Sequence, residues 1–375
     1  MDKIFALPHI NNLKSYIPGM PIETLAREKS LTSIIKLASN ENPFGPSSKV
    51  LDAIVQNLST IHRYPDADMH NLKNFLAQFY ELSTENFVIG NGSDEILQLI
   101  MRTFVNQEHN IIAPKYSFNS YKLSAAALNI EFIETDVNPD WTNNFNNILQ
   151  NIKKNTKLIC VVNPNNPTGT YSSPAAITDF LNQVPPNILV LLDEAYYEYC
   201  RYDRQINMDS NIDHSINLLK KHKNLIITRT FSKGYGLAGL RAGYSLSEPS
   251  IAASINKIKQ PFNVNRLVQF AAVAALNDQE YLRNIIDINS KEKRLLCNHF
   301  DNLKIKYIPS ATNFITIDAL NPSNAETIYN SLLNKGIITR PLKAYDLANY
   351  LRISIGLPEE NMALIDALKN DVVVY

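Results

Sequence analysis

Lys233 stands where an amine could meet an electrophile. It lies in Thr230-Phe231-Ser232-Lys233-Gly234-Tyr235-Gly236-Leu237-Ala238-Gly239-Leu240-Arg241, directly after the apolar run Leu225-Ile226-Ile227. That run predicts a buried strand, and the carboxyl ends of such strands are where open α/β sheets bind ligands. An amine that forms an imine needs a partly desolvated place near a carbonyl. The hydroxyls of Thr230 and Ser232 and the fork of Arg241 suit a phosphate. An aldehyde for the lysine and a phosphate for its neighbours together describe pyridoxal phosphate. Taken alone, Lys233 reads more readily as a solvated surface lysine, and the other segments turn that reading. Gly234, Gly236 and Gly239 also spell G-x-G-x-x-G, but the acidic residue that a dinucleotide site needs about 20 positions on is absent. The chain there runs Lys257-Ile258-Lys259-Gln260-Pro261.

Three further segments extend the chemistry. Asp193 ends the apolar run Ile188–Leu192, and Tyr196 follows three residues later. A carboxylate at the end of a buried strand is costly unless a cation meets it, and a pyridinium nitrogen would be such a cation. A plain helix-capping Asp is the alternative. Asn163-Pro164-Asn165-Asn166-Pro167-Thr168-Gly169 is a turn stiffened by two prolines that could aim Asn166 at a ligand oxygen. Gly90-Asn91-Gly92-Ser93-Asp94 opens a helix whose free N–H groups would suit an anion, though Ser93 is also an ordinary cap. Tyr116, in Pro114-Lys115-Tyr116-Ser117-Phe118, could stack on a flat ring or fill a core. Arg340 and Arg352 sit in strand-like apolar text and need anionic partners if buried.

The elements that must position these residues form an α/β pattern. From about residue 86, short apolar runs alternate with amphipathic stretches: Phe87-Val88-Ile89, then a helix over 93–104, then Ile111-Ile112-Ala113, 130–133, 158–162, 188–192 and 225–227. Continuous apolar runs suit strands covered on both faces in a parallel sheet. After Pro261 a long helix is expected over 279–303, strands at 305–308, 314–317 and 351–355, and a last helix over 359–369. The expected division is an arm over 1–28, a large domain over 29–262 and a smaller α+β domain over 263–375.

Composition narrows the class further. The 375 residues exceed what one core usually organises. Charge is balanced at 36 basic and 36 acidic residues, which argues against a nucleic-acid binder. The three cysteines are widely spaced with no CxxC, so neither a zinc ribbon nor a disulfide framework is expected, and no metal. With no signal-like start and no run of about 18 apolar residues, the expectation is a cytoplasmic protein free of membrane. There are 11 glycines, and nine of them fall in or beside the segments described above.

In their order and spacing these segments resemble the fold-type I pyridoxal-phosphate-dependent aminotransferases. Within them the chain is most similar to the histidinol-phosphate aminotransferases, placed in the class II subfamily. That resemblance is carried by Leu37-Ala38-Ser39-Asn40-Glu41-Asn42-Pro43-Phe44-Gly45-Pro46, Arg63-Tyr64-Pro65-Asp66, Pro18-Gly19-Met20-Pro21-Ile22-Glu23 and Leu351-Arg352-Ile353-Ser354-Ile355-Gly356. It covers nearly the whole chain. It implies a large domain with a mostly parallel seven-stranded sheet and a smaller α+β domain. It also implies pyridoxal 5'-phosphate held as a Schiff base on Lys233, which moves the proton between substrate and cofactor. Asp193 would pair with the ring nitrogen, and Tyr196 and Asn166 with the ring oxygen. Ser93, Asp94, Thr230, Ser232 and Arg241 would hold the phosphate, and Tyr116 would stack. Tyr64 would come from the neighbouring subunit of a homodimer with shared sites. Arg340 and Arg352 would bind substrate anions, and Tyr16 and Asn42 would line the way in. Ser15 stands where relatives often carry proline.

The implied reaction is transamination of L-histidinol phosphate with 2-oxoglutarate, a step of L-histidine biosynthesis. An aromatic amino-acid aminotransferase and a threonine-phosphate decarboxylase on the same scaffold are the alternatives. A cofactor-binding transcriptional sensor is disfavoured, because the motifs begin by residue 37 and the charge is balanced.

Overall fold

The computed structural model describes residues 6–11, 13, 19–31, 33–203 and 213–371. Tyr16 and Ser15 lie outside these residues.

Seven strands form the central sheet: Phe87–Gly90 (β1), Asn110–Pro114 (β2), Glu131–Thr135 (β3), Thr156–Val162 (β4), Leu189–Asp193 (β5), Leu225–Thr230 (β6) and Gly243–Ser247 (β7). Their spatial order is β1-β7-β6-β5-β4-β2-β3. All neighbours run parallel except β7, which is antiparallel to both β1 and β6. The apolar runs are buried because helices cover both faces. Side chains alternate across the sheet as the period of two requires. Ile159, Val161, Val190, Leu192 and Ile227 join one apolar cluster, and Leu158, Cys160, Val162, Leu191 and Ile226 the other.

Registers align the strand ends that carry the site. Val162 is level with Asp193, and Asp193 with Thr228. Thr230, at the end of β6, is opposite Gly243. A Cβ at Gly243 would lie 2.4 Å from the Ser93 nitrogen, so the absence of a side chain lets the Ser93–Phe104 helix start against the sheet. That helix buries Ile96, Leu97, Leu99, Ile100 and Met101, the apolar face its sequence predicts.

The second sheet has four strands, Lys306–Ile308 (β8), Phe314–Asp318 (β9), Arg340–Leu342 (β10) and Leu347–Ser354 (β11), in the order β10-β11-β9-β8 and all antiparallel. The helices Gln279–Asn302, Pro322–Asn334 and Pro358–Asp371 cover it and share one apolar cluster with it. The helix Arg266–Leu276 leans back on Ser48–Asn57 and His70–Tyr80, so its apolar residues belong to the first cluster. Near the start of the chain, Ile35–Lys36 pairs in parallel with Ile337–Ile338. This pairing delivers residues 37–42 from the small sheet to the carboxyl edge of the large one.

Candidate active site

A cavity opens at the carboxyl edge of β4, β5 and β6. Its wall includes Lys233, Asp193, Tyr196, Asn166, Thr230 and Ser232. Ser93, Asp94, Arg241 and Phe118 line it too, with Val162 and Ala195. The structure thus brings together nine of the eleven residues expected to serve the cofactor. The other two, Tyr116 and Tyr64, lie elsewhere. Tyr116 has a left-handed backbone (φ 58), its carbonyl accepts from Asn165 at 2.9 Å, and its ring is 5.5 Å from that of Trp141. Phe118, two residues on, reaches the cavity wall. Tyr64 is 78% exposed and stacks on Phe262 at 4.6 Å.

Lys233 extends into the cavity with its amine enclosed by protein. Nζ donates to the Ser39 carbonyl at 3.0 Å. Burial holds this amine down to about 8, and the charges of Arg352 and Arg241 act in the same direction. The neutral, nucleophilic form is therefore accessible near neutrality.

Asp193 is buried at the end of β5. The Tyr121 hydroxyl donates to its Oδ2 at 2.5 Å, and the Ala195 amide to its Oδ1 at 3.2 Å. Among the described residues no cation pairs with it. Burial pushes the carboxyl up to about 6, against the pull of the Tyr121 hydroxyl. A buried acid with neutral partners at a cavity wall is a fitting partner for a cationic ring nitrogen.

At the other end of the cavity lies an anion cradle. Gly92 has φ +82, and a Cβ there would lie 2.4 Å from Arg241 Nη2. The missing side chain lets the guanidinium sit over the start of the Ser93–Phe104 helix, whose dipole and amides favour an anion. Arg241 also reaches Ser232 Oγ at 3.5 Å and the Ala238 carbonyl at 3.2 Å. The hydroxyls of Ser93, Thr230 and Ser232 border the same space. This donor set and its glycine clearance fit a phosphate monoester, and an amine, a buried acid and this cradle on one cavity wall are the groups pyridoxal phosphate needs.

Arg352 and Arg340 are level with each other across the β10–β11 pair, and both are buried. Arg352 Nη1 donates to Asn166 Oδ1 at 2.5 Å, and Nη2 to the Ala38 carbonyl at 2.7 Å. Its Nε is buried without a hydrogen-bond partner. Like charges directly opposite on a sheet are destabilising, so an anion bound near this pair would be favoured. Asn42, expected at the way in, has both side-chain groups engaged by backbone. Its Nδ2 donates to the Gly234 carbonyl and its Oδ1 accepts from the Phe44 amide, each at 3.0 Å.

Sequence reasoning missed two residues that bond the site's side chains and a buried arginine behind it. Tyr121 follows Tyr116 by five residues in plain helical text, with no local mark of its bond to Asp193. Asn40 lies within residues 37–46, where nothing local marks its bond: its Nδ2 donates to the Tyr196 hydroxyl at 2.8 Å. Arg229, wholly buried in β6, donates through Nε to Glu194 at 2.9 Å and through Nη1 to Asp213 at 2.8 Å. An arginine inside an apolar strand, with an acid beside Asp193, was the available signal.

The chain belongs to the class I and II aminotransferases, whose family model matches residues 32–368. Among curated relatives, histidinol-phosphate aminotransferase 2 of Pasteurella multocida is 44% identical over 359 residues, covering 96% of each chain. Histidinol-phosphate aminotransferase 1 of Idiomarina loihiensis is 41% identical over 362 residues, again covering 96% of each. Among solved structures, histidinol-phosphate aminotransferase from Sinorhizobium meliloti, in complex with pyridoxal-5'-phosphate, superposes with a TM-score of 0.84 at 29% identity. That match covers 97% of this chain and 96% of the other.

Proposed function

We propose that this protein is a pyridoxal-phosphate-dependent histidinol-phosphate aminotransferase. In the biosynthetic direction it moves the amino group of L-glutamate to imidazole acetol phosphate, giving L-histidinol phosphate and 2-oxoglutarate. The observation that carries the substrate reading is the buried Arg340–Arg352 pair beside the cavity. One substrate brings a carboxylate and the other a phosphate, and two adjacent guanidinium groups can serve both in turn.

When bound, the cofactor supplies an aldehyde and an electron-withdrawing ring. The chain supplies the rest. Lys233 offers a neutral amine as nucleophile and then as the base that shuttles the substrate's α proton. Asp193 keeps the ring nitrogen charged. Tyr196 and Asn166 would serve the ring oxygen, and Phe118, on the cavity wall, would be the aromatic beside the ring, whereas Tyr116 packs on Trp141. Ser93, Asp94, Thr230, Ser232 and Arg241 anchor or surround the phosphate. Arg352, already oriented by Asn166 and Ala38, takes the carboxylate or phosphate, and Arg340 adds to phosphate binding. Asn42 steadies the Lys233 loop through Gly234.

The working unit is a homodimer in which Tyr64 reaches the partner's site. Leu51, Val55, Leu58 and Ile61 support this, since they leave an apolar strip exposed at 46–65% beside it. The enzyme divides into an arm (1–28), a large domain (29–262) and a small domain (263–375). A cytoplasmic location fits the three free cysteines, of which Cys160 and Cys200 are buried. Among the described residues no helix is long and apolar enough to cross a membrane.

Steady-state rates with histidinol phosphate, phenylalanine and threonine phosphate test the reading. Histidinol phosphate with 2-oxoglutarate is expected to give the highest kcat/KM. Faster turnover of phenylalanine, or carbon dioxide release from threonine phosphate, would overturn it.

A further inference from the structure

Residues 38–42 touch four separate parts of the site. The Ala38 carbonyl accepts from Arg352 at 2.7 Å, and the Ser39 carbonyl from Lys233 at 3.0 Å. Asn40 donates to the Tyr196 hydroxyl at 2.8 Å, and Asn42 to the Gly234 carbonyl at 3.0 Å. Asn40 reaches a cavity-lining side chain through its own side chain. It is 1% exposed and adopts φ 54, a left-handed conformation that asparagine tolerates.

Its amide is held from the far side. Ser354 Oγ donates to Asn40 Oδ1 at 3.1 Å and accepts from the Asn40 backbone amide at 2.8 Å. With Oδ1 engaged there, the NH₂ group faces Tyr196. An amide nitrogen donates and does not accept. The Tyr196 oxygen is therefore the acceptor at this contact, and its own proton must point elsewhere. Among the described residues Asn40 is its hydrogen-bond partner, and the Tyr196 ring is wedged edge-on against Phe314 at 5.3 Å. The cavity is the direction left for the proton.

We propose that Asn40 is a positioning residue that sets the polarity of Tyr196: by donating to the phenolic oxygen it commits the phenol's proton to the cofactor's ring oxygen. This rests on the pyridoxal-phosphate reading of the site. A donor at that oxygen favours the deprotonated form of the bound cofactor, and Asn40 strengthens the donor by polarising the phenol.

The test is a pH titration of the visible absorbance of cofactor-loaded enzyme, run on wild type, Asn40→Gly, Tyr196→Phe and the double variant. Glycine accepts the positive φ and removes the side chain alone. Both single variants are expected to raise the midpoint, Asn40→Gly by roughly 0.5 pH or more, with kcat down about 3- to 10-fold. The double variant should titrate with Tyr196→Phe. If Tyr196→Phe leaves the midpoint unmoved, the cofactor reading of Tyr196 fails. If Tyr196→Phe moves it and Asn40→Gly does not, or Asn40→Gly adds the same shift with the phenol gone, the Asn40 assignment is overturned. Should Asn40→Gly fail to fold or load, Ser354→Ala decides. It should give a smaller upward shift that vanishes in the Tyr196→Phe background, and no shift would overturn the assignment.

Discussion

Arg340 and Arg352 occupy directly opposed positions on neighbouring antiparallel strands, 8% and 7% exposed. Two arginines based on opposed positions of one sheet make that place favourable for an anion. Loss of Arg340 should raise KM for histidinol phosphate by roughly 10- to 100-fold and change KM for glutamate far less. Arg340→Gln kinetics with the two substrates measured separately check this. Equal effects on both would assign Arg340 to general structure.

The same pair predicts a stability signature. Inorganic phosphate at millimolar concentration should raise the Tm of wild-type protein through preferential binding to the folded state. In Arg340→Gln that gain should shrink to less than half. A thermal-shift series in phosphate and in chloride of equal ionic strength separates binding from screening.

Lys233 sets the pH dependence of cofactor capture. Burial holds its amine down to about 8, so the neutral fraction grows as pH rises through that region. Loading of apoprotein with pyridoxal phosphate should accelerate from pH 6 to about 8 and then level. Arg352→Gln removes a charge that holds the amine down and should move the midpoint upward. Lys233→Ala should abolish both the imine absorbance and turnover.

Asp193 links function to stability with a definite sign. Burial pushes its carboxyl up to about 6 in the folded chain from an ordinary 3.8, so between these values the folded chain binds more protons than the unfolded one. Apoprotein stability from this group is therefore fullest below 3.8 and falls as pH rises toward 6. Asp193→Asn apoprotein should be more stable than wild type at pH 7.5, by on the order of 2–3 kcal/mol at most, and the gap should close toward pH 4. Activity should fall by roughly 10³-fold or more. Denaturant melts of the apo forms at several pH values check the sign.

Subunit sharing is testable by mixing. Tyr64→Ala and Lys233→Ala homodimers should each be nearly inactive. Refolded together they should regain up to about a quarter of wild-type activity, because half the dimers are mixed and each carries one intact site. Val55→Asp, on the exposed apolar strip, should shift sedimentation toward the monomer and abolish activity.

What could be read from the sequence follows the physics of each signal. β4, β5 and β6 were visible because strands buried on both faces become uninterrupted apolar text. β7 was not visible. Gly243-Tyr244-Ser245-Leu246-Ser247 is buried throughout, yet its serines break the run, and nothing local reveals an antiparallel insertion between β1 and β6. Asp193 is legible because it ends a buried strand, Lys233 and Tyr196 because each follows such an end by three residues, and Asn166 because it fills a rigid turn. Tyr121 and Asn40 were not, since their meaning lies in partners 72 and 156 residues away. Asn42 was placed in the right neighbourhood, but its side chain turned inward to backbone groups that no spacing rule exposes.

The bond from Ser354 to Asn40 spans 314 residues, as does that from Arg352 to Ala38. A ribosome must therefore finish nearly the whole chain before residues 38–42 can settle. Until then Lys233, Asp193 and the anion cradle can assemble on the large sheet while the segment beside them has no strand to lean on. The order of synthesis thus separates two events: a scaffold able to admit the cofactor forms first, and the groups that orient it against substrate arrive last. A polypeptide cut short before residue 352 would retain every residue lining the cavity and lack Arg352 beside it.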